Sequence, residues 1–218
     1  MKNNAYTHII WDWNGTLLDD LNLCLEIINN LLNKNSLPPV SLANYLDVFG
    51  FPVRDYYQNI GFDFDKESFE IISTEFITAY EKGRPNCLLM TGARETLEWL
   101  SSIGYTQSIL SASKQAYLNK AVLDYGIKNY FISINGLDNH HAAGKFDLAK
   151  EFMAAQNLNP KSVLLIGDTL HDAEIANSLG VDCWLIPNGH QSRQRLGSAG
   201  VPILDSLLNL SNQIQKHG

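Results

Sequence analysis

Five side chains in this sequence of 218 residues can do chemistry together, and each stands where an apolar run ends or an amphipathic stretch begins. Asp12-Trp13-Asn14-Gly15-Thr16 follows one such run directly. A carboxylate at a strand end can act as a nucleophile, and the turn after it can aim backbone N–H groups at the same spot. Alone, the segment reads equally as a capped Asn-Gly turn. Gly167-Asp168-Thr169-Leu170-His171-Asp172 sets two carboxylates four residues apart on one side of a helix start. Oxygen-only ligands of this kind suit Mg²⁺. The plainer alternative is a cap from Asp168 and Thr169, with Asp172 favoured by the helix dipole. Ser111 closes another run, and Ser113 can cap the helix that follows; a hydroxyl at a helix N-terminus makes an anion site. Lys145 opens a helix after Ala142-Ala143-Gly144, where a cation opposes the macrodipole and calls for a negative partner, unless it is simply a surface lysine.

Together these residues supply a nucleophile, donors to phosphate oxygens and a metal site, which is what phosphoryl transfer requires. The elements that must position them are legible as alternating short apolar runs and helical periodicity. Tyr6–Trp11, Ser108–Leu110, Tyr130–Ile134, Val163–Ile166 and Cys183–Ile186 read as strands, with Val201–Leu204 as a sixth. Amphipathic stretches at Thr96–Ile103, Gln115–Tyr125, Phe146–Met153, Asp172–Leu179 and Asp205–Ile214 lie between and after them. Such alternation predicts an α/β fold with a doubly wound parallel sheet, whose reactive groups sit beyond the carboxyl ends of the strands. From Asp19 to Pro85 no strand candidate occurs. Leu21, Leu25, Ile28 and Leu32 mark one helical stripe there, and Phe69, Ile72, Phe76 and Tyr80 mark another. That segment reads as an all-helical insert.

Composition narrows the partners. The net charge is −7 and no two basic residues are adjacent, which argues against nucleic acid and anionic membranes. No apolar run approaches the ~18–20 residues of a membrane span. The first ten residues do not read as a signal peptide. Cys24, Cys87 and Cys183 are odd in number and lack a CxxC pair, so they read as buried, reduced thiols of a cytoplasmic protein, with zinc unlikely. The expected partner is a small phosphorylated metabolite; oligomeric state is not legible.

The pattern resembles the haloacid dehalogenase superfamily over the full length. Ile9-Ile10-Trp11-Asp12-Trp13-Asn14-Gly15-Thr16 looks like its first motif, Ser111 its second, Lys145 its third, and Asp168 with Asp172 its fourth. The resemblance implies a Rossmann-like core of residues 1–18 and 86–218 and a helical C1 cap of residues 19–85. Gly50-Phe51-Pro52-Val53-Arg54 and Asn188-Gly189-His190-Gln191 are similar to the phosphoglycolate-phosphatase-like branch. By that resemblance Asp12 forms an aspartyl-phosphate. Mg²⁺ is held by Asp12, the Asn14 carbonyl, Asp168 and Asp172, and Ser111 and Lys145 hold the phosphoryl oxygens. Arg54 is a candidate contact for the far end of a substrate. Asn14 departs from the motif, whose second Asp is the general acid and base in phosphatases. An amide cannot fill that role, so turnover is expected to favour good leaving groups and Asn14→Asp to restore poor ones. His171 is a candidate substitute proton donor. The alternative reading is a phosphate-binding pseudo-enzyme; dehalogenase and phosphomutase readings fit the residues less well.

Overall fold

The computed structural model describes residues 6–137 and 144–217. Among them, β1 (His8–Trp11), β4 (Thr106–Lys114), β5 (Ser133–Leu137), β6 (Val163–Gly167) and β7 (Asp182–Leu185) form one sheet in the order β5-β4-β1-β6-β7. Every pairing in it is parallel. The strand pleat explains why the runs are apolar on both faces. Ile9, Trp11, Leu164, Ile166 and Trp184 face one core, whereas Ile10, Val163, Leu165, Cys183 and Leu185 face the other. The first core is closed by α5 (Ala93–Ser102), α6 (Gln115–Asp124) and α10 (Leu210–His217), through Leu97, Leu100, Leu118, Val122 and Leu210. The second is closed by α7 (Lys145–Ala155), α8 (Leu170–Leu179) and α9 (Arg193–Leu196), through Ala149, Phe152, Ile175, Ala176 and Leu196. The doubly wound sheet is therefore present, and β1 sits at its switch point, flanked by β4 and β6.

The helical insert comprises α1 (Leu21–Lys34), α2 (Leu42–Val48), α3 (Val53–Asn59) and α4 (Phe69–Gly83), and it has a hydrophobic cluster of its own. Cys24, Ile28, Leu32 and Ile72 pack there with Tyr45, Tyr56, Tyr57 and Phe62. Ser41 and Ser68 start α2 and α4 by accepting the backbone N–H groups of Asn44 and Ile71. The insert is a cap in the structural sense: a separately cored helical layer entered and left at one place. At that place β2 (Leu18–Asp19) pairs antiparallel with β3 (Leu88–Leu89). This ribbon was not expected, because two-residue strands carry no readable periodicity.

Other departures are local. Val201–Leu204 is not a sixth strand: it makes a single bridge, Leu185 with Ile203, in which Leu185 N–H donates to the Pro202 carbonyl. Pro202 has no N–H to extend the ladder. The strand expected at Tyr130–Ile134 begins at Ser133, because Lys128–Tyr130 winds into a 3₁₀ turn. The second strand runs on past Leu110 to Lys114 through a register shift. Ala142 and Ala143 lie outside the described residues. Cys24, Cys87 and Cys183 are free thiols, Cys87 only half-buried. No helix among the described residues is long and apolar enough to cross a membrane.

Leu97 is fully buried in the first core, whereas Leu88 is 74% exposed on the ribbon. Leu97→Ala is expected to cost about 2–5 kcal/mol of unfolding free energy in urea titrations, and Leu88→Ala to stay within about 0.5 kcal/mol of the native chain.

Candidate active site

The β1 backbone ends by giving Asp12 N–H to the Ile166 carbonyl at 2.9 Å, which pins Asp12 beside the end of β6. Lys145, at the start of α7, reaches in from the second core and is only 4% exposed. Its ammonium donates to Asp12 Oδ1 at 2.5 Å and to Asp172 Oδ1 at 2.8 Å. The negative partner that its position against the macrodipole calls for is thus a pair of carboxylates. Burial alone would lower the lysine pKa, but Asp12 and Asp172 hold it above its ordinary value. The lysine in turn keeps Asp172 below the usual carboxylate range despite burial.

Asp172 carries a second duty. Its Oδ2 accepts Thr169 N–H at 3.1 Å and Thr169 Oγ1–H at 2.7 Å, closing the capping box that starts α8. The helix start is thus capped by Thr169 with Asp172, not by Asp168, and the other Asp172 oxygen is left to face Lys145. Asp168 is fully buried; Oδ1 accepts Thr16 Oγ1–H at 3.3 Å and Oδ2 accepts His190 N–H at 2.6 Å. Oxygens of Asp12, Asp168 and Asp172 lie within 4.8 Å of one another. Backbone must come close for this to happen. A Cβ at Gly15, Gly167 or Gly189 would meet Asp168 or Asp172 atoms at 2.1–2.4 Å, and Gly15 has φ +70° besides.

Charge decides what this cluster can hold. Among the described residues around it, Asp12, Asp20, Asp168 and Asp172 are buried acids and Lys145, His171 and His190 buried bases, of which His171 is held neutral by burial. With the others ionised, that set leaves two negative charges in a site shielded from water. Burial pushes Asp12 up to about 8 and Asp168 to about 6, with Lys145 and His190 respectively pulling the other way. An all-oxygen donor set with a double negative excess fits a hard divalent cation. Asp12, Asp168 and Asp172 would hold it.

Asn14 lies on the cap side of Asp12, and its carboxamide is fully engaged. Nδ2 donates to Asp20 Oδ2 and to the Tyr80 hydroxyl oxygen, both at 2.6 Å, and Oδ1 accepts Ser113 Oγ–H at 2.8 Å. Ser113 is accordingly not the helix cap expected; Lys114 occupies the N-cap of α6. Ser111 is 1% exposed on β4, and its Oγ accepts Ser113 N–H at 3.0 Å, which leaves its own proton to donate. His190 ties this layer to the cap. Its Nε2 pairs with Asp20 Oδ1 at 3.1 Å, its Nδ1 meets the Tyr45 hydroxyl at 3.0 Å, and Asp20 raises it to about 9 against burial.

Two expected contributors sit elsewhere. Arg54 is exposed on α3, its guanidinium over the rings of Phe64 at 4.5 Å and Phe69 at 5.5 Å, so its ring contacts hold it within the cap. His171 lies against Phe51 of the cap at 4.7 Å and meets Phe146 edge-on at 5.1 Å, and burial lowers it to about 4, so it is neutral and seated in the cap–core contact. Asp20, Tyr45 and Tyr80 were not anticipated as site residues. The one available signal was the Asp19-Asp20 pair at the cap boundary, of which the first is exposed and the second 1% exposed.

A doubly wound core, a helical insert closed on it, and a buried Asp12–Lys145–Asp172 cluster at the switch point have the layout of a capped hydrolase. The chain belongs to the haloacid dehalogenase-like hydrolases, whose family profile matches residues 9–186. Phosphoglycolate phosphatase 1 of Pseudomonas aeruginosa is 21% identical over 210 residues, covering 93% of this chain and 77% of its own. A pyrophosphatase of Bacillus velezensis is 21% identical over 192 residues, covering 83% of this chain and 82% of its own. The crystal structure of a predicted phosphatase from Clostridium acetobutylicum shares the fold, with a TM-score of 0.81 at 20% identity over 97% of this chain and 99% of that one. By class the chain is a phosphatase, a phosphoric monoester hydrolase.

Two outcomes follow from the charge balance. Lys145→Met strands Asp12 and Asp172 and is expected to cost about 3–5 kcal/mol in metal-free buffer, partly recovered by a divalent cation, read by urea titration with and without chelator. The pH dependence has a definite sign. His190, raised from 6.5 to about 9, contributes its stabilisation fully below pH 6.5 and loses it as the pH climbs through 9. Asp12, raised to about 8, acts in the same direction, because the folded state keeps its proton longer. The metal-free urea midpoint should therefore fall between pH 6.5 and 9; a midpoint that rises there would contradict both assignments.

Proposed function

We propose that the chain is a Mg²⁺-dependent phosphatase of a small phosphorylated metabolite, acting through a phosphoryl group carried on Asp12. The observation that carries this reading is the Lys145 ammonium bridging Asp12 and Asp172 inside a buried, doubly negative oxygen cluster. A carboxylate held in one orientation by a buried ammonium is set up to attack phosphorus. Asp12 forms the new O–P bond as the ester or anhydride O–P bond breaks, and water then cleaves the acyl-phosphate, returning the carboxylate and releasing phosphate. Lys145 and the Ser111 hydroxyl stabilise the transferring oxygens. Mg²⁺, when bound by Asp12, Asp168, Asp172 and the Asn14 carbonyl, supplies charge neutralisation for the phosphoryl group.

Residues 19–85 act as the cap, and 1–18 with 86–218 as the core, with the two-stranded ribbon as the place where the two join. The cap excludes water during transfer. The free thiols support a cytoplasmic setting. Arg54 remains the candidate for a substrate contact only if the cap opens and it leaves the Phe64 and Phe69 rings. Asn14 sets the substrate class. Both its amide hydrogens are donated to protein groups and neither is acidic, so a leaving group must depart without a proton from this position. Acyl and anhydride phosphates suit that requirement, and one relative is named a pyrophosphatase.

The test is a leaving-group series of acyl, aryl and alkyl phosphates, with Mg²⁺ and with chelator. Acyl and aryl phosphates are expected to exceed alkyl phosphates in kcat/KM by about 10²–10⁴-fold, the usual contribution of general acid catalysis. Chelation and Asp12→Asn should each abolish turnover while the fold is retained. A flat series would mean that another group supplies the proton. No turnover in any arm would favour a phosphate-binding protein without catalysis.

A further inference from the structure

Asp20 is the N-cap residue of α1, yet its side chain makes no capping hydrogen bond. An aspartate at that position ordinarily accepts an N–H of the first helical turn. Here the carboxylate turns away from its own helix and into the site. Oδ2 accepts from Asn14 Nδ2 at 2.6 Å and from the Tyr80 hydroxyl at 2.7 Å; Oδ1 accepts Gly15 N–H at 2.9 Å and pairs with His190 Nε2 at 3.1 Å. The Cys24 thiol approaches Oδ2 at 3.8 Å. These donors come from the turn after the nucleophile, from the loop that holds Asp168, and from the cap helix α4. The carboxylate is thus ringed by donors on both oxygens: an amide, a hydroxyl, a backbone N–H and an imidazole.

We infer that Asp20 is a positioning residue for phosphoryl transfer and that it is matched to an amide at position 14. The inference rests on the proposed phosphatase reading. The contact has a polarity. Asn14 gives one amide hydrogen to Asp20 and the other to Tyr80, while its carbonyl takes the Ser113 proton. A carboxylate in place of that amide would bring an oxygen against Asp20 Oδ2 with no hydrogen between them. Two buried carboxylates cannot share such a spot while both are ionised. The turn Asn14-Gly15 would then shift, and the nucleophile two residues earlier would move with it. The expectation that Asn14→Asp alone restores activity is therefore reversed. The exchange that keeps the polarity is the double variant Asn14→Asp/Asp20→Asn. In it the amide now on the cap side would donate to the carboxylate now in the turn, and Ser113 and Tyr80 would both have an acceptor.

The experiment measures kcat, KM and melting temperature of the native chain, Asn14→Asp, Asp20→Asn and the double variant, with p-nitrophenyl phosphate and Mg²⁺. Each single change is expected to lower kcat by about 10–100-fold, as displacement of a reacting group does, and the double variant to return within about 10-fold of native. Tyr80→Phe removes one hydrogen bond from the same carboxylate and one from the Asn14 amide while keeping the ring and the charge; it should lower kcat by about 2–10-fold and melting less than either single charge variant does. If a single variant fails to fold, Tyr80→Phe and the double variant decide the matter. Losses that simply multiply in the double variant, or an Asn14→Asp variant as fast as native, overturn the pairing. Coupling in melting without coupling in kcat makes Asp20 a structural tie and overturns the positioning role. A native chain without turnover overturns the phosphatase reading and with it the role in transfer, while the melting cycle still shows whether the pair is matched.

Discussion

Everything at the centre of this molecule follows from burying more negative charge than positive charge in one place. A carboxylate taken out of water must be paired or neutralised. Lys145 meets that demand for Asp12 and Asp172 at once, and it can do so only because α7 begins where β1 and β6 end. The same ammonium would be badly placed at that helix start without them. The backbone conforms to the cluster as well: Gly15, Gly167 and Gly189 lack the Cβ that would collide with Asp168 or Asp172. A carboxylate excess of this kind would suit a divalent cation, which is what the proposed phosphatase reading needs at this place.

A second buried carboxylate extends the same logic to the cap. Asp20 meets His190, which meets Tyr45 of α2, so the charge layer of the core ends in a cap hydroxyl. Around that chain, Gln191 Nε2 donates to the Phe49 carbonyl while its Oε1 accepts Leu170 N–H, binding the cap to the start of α8. Arg195 reaches the carbonyls of Asp47 and Phe49, Ser192 donates to Asp47, and Phe51 lies on His171. The contact of cap and core thus includes several directional polar bonds beside ring contacts such as Phe51 on His171 and Phe49 on His190. Polar bonds of this kind are made and broken more readily than a dry apolar interface, as the proposed opening and closing of the cap would require.

How much of this was legible in the sequence depended on the length scale of each signal. The parallel sheet was, because runs such as Val163–Ile166 and Ile9–Trp11 are apolar on both faces and strand–helix alternation admits few topologies. Lys145 was legible as a cation at a helix start, which called for an anion unless the lysine lay on the surface; it is buried against two carboxylates. The ribbon at Leu18–Asp19 was not, since two residues show no period. Val201–Leu204 looked like a strand by composition, but Pro202 removes a donor from the ladder. Ser113 misled, and Asp20 was passed over, for a shared reason. Each sits where a small polar side chain usually caps a helix, and each instead spends its hydrogen bond on Asn14. Local rules of this kind yield at sites where a longer-range demand outweighs a cap worth about 1 kcal/mol.

Asn14 is where those strands of reasoning meet. Seen from the motif alone it is a defect, an amide where a proton-transferring carboxylate belongs. Seen in the structure it is one half of an arrangement whose other half arrives from six positions along the chain. The position is not short of a carboxylate: Asp20 brings one to within 2.6 Å, but aims it at the amide and at Tyr80 rather than at Asp12. A carboxylate that accepts from a backbone N–H, an amide, a hydroxyl and an imidazole has its lone pairs committed and its proton affinity depressed. It is therefore suited to hold geometry and poorly suited to donate a proton. Under the proposed phosphatase reading, the chemistry left to the site would be nucleophilic attack and charge stabilisation without acid assistance, a division of labour that would favour phosphates whose leaving groups are already stable as anions.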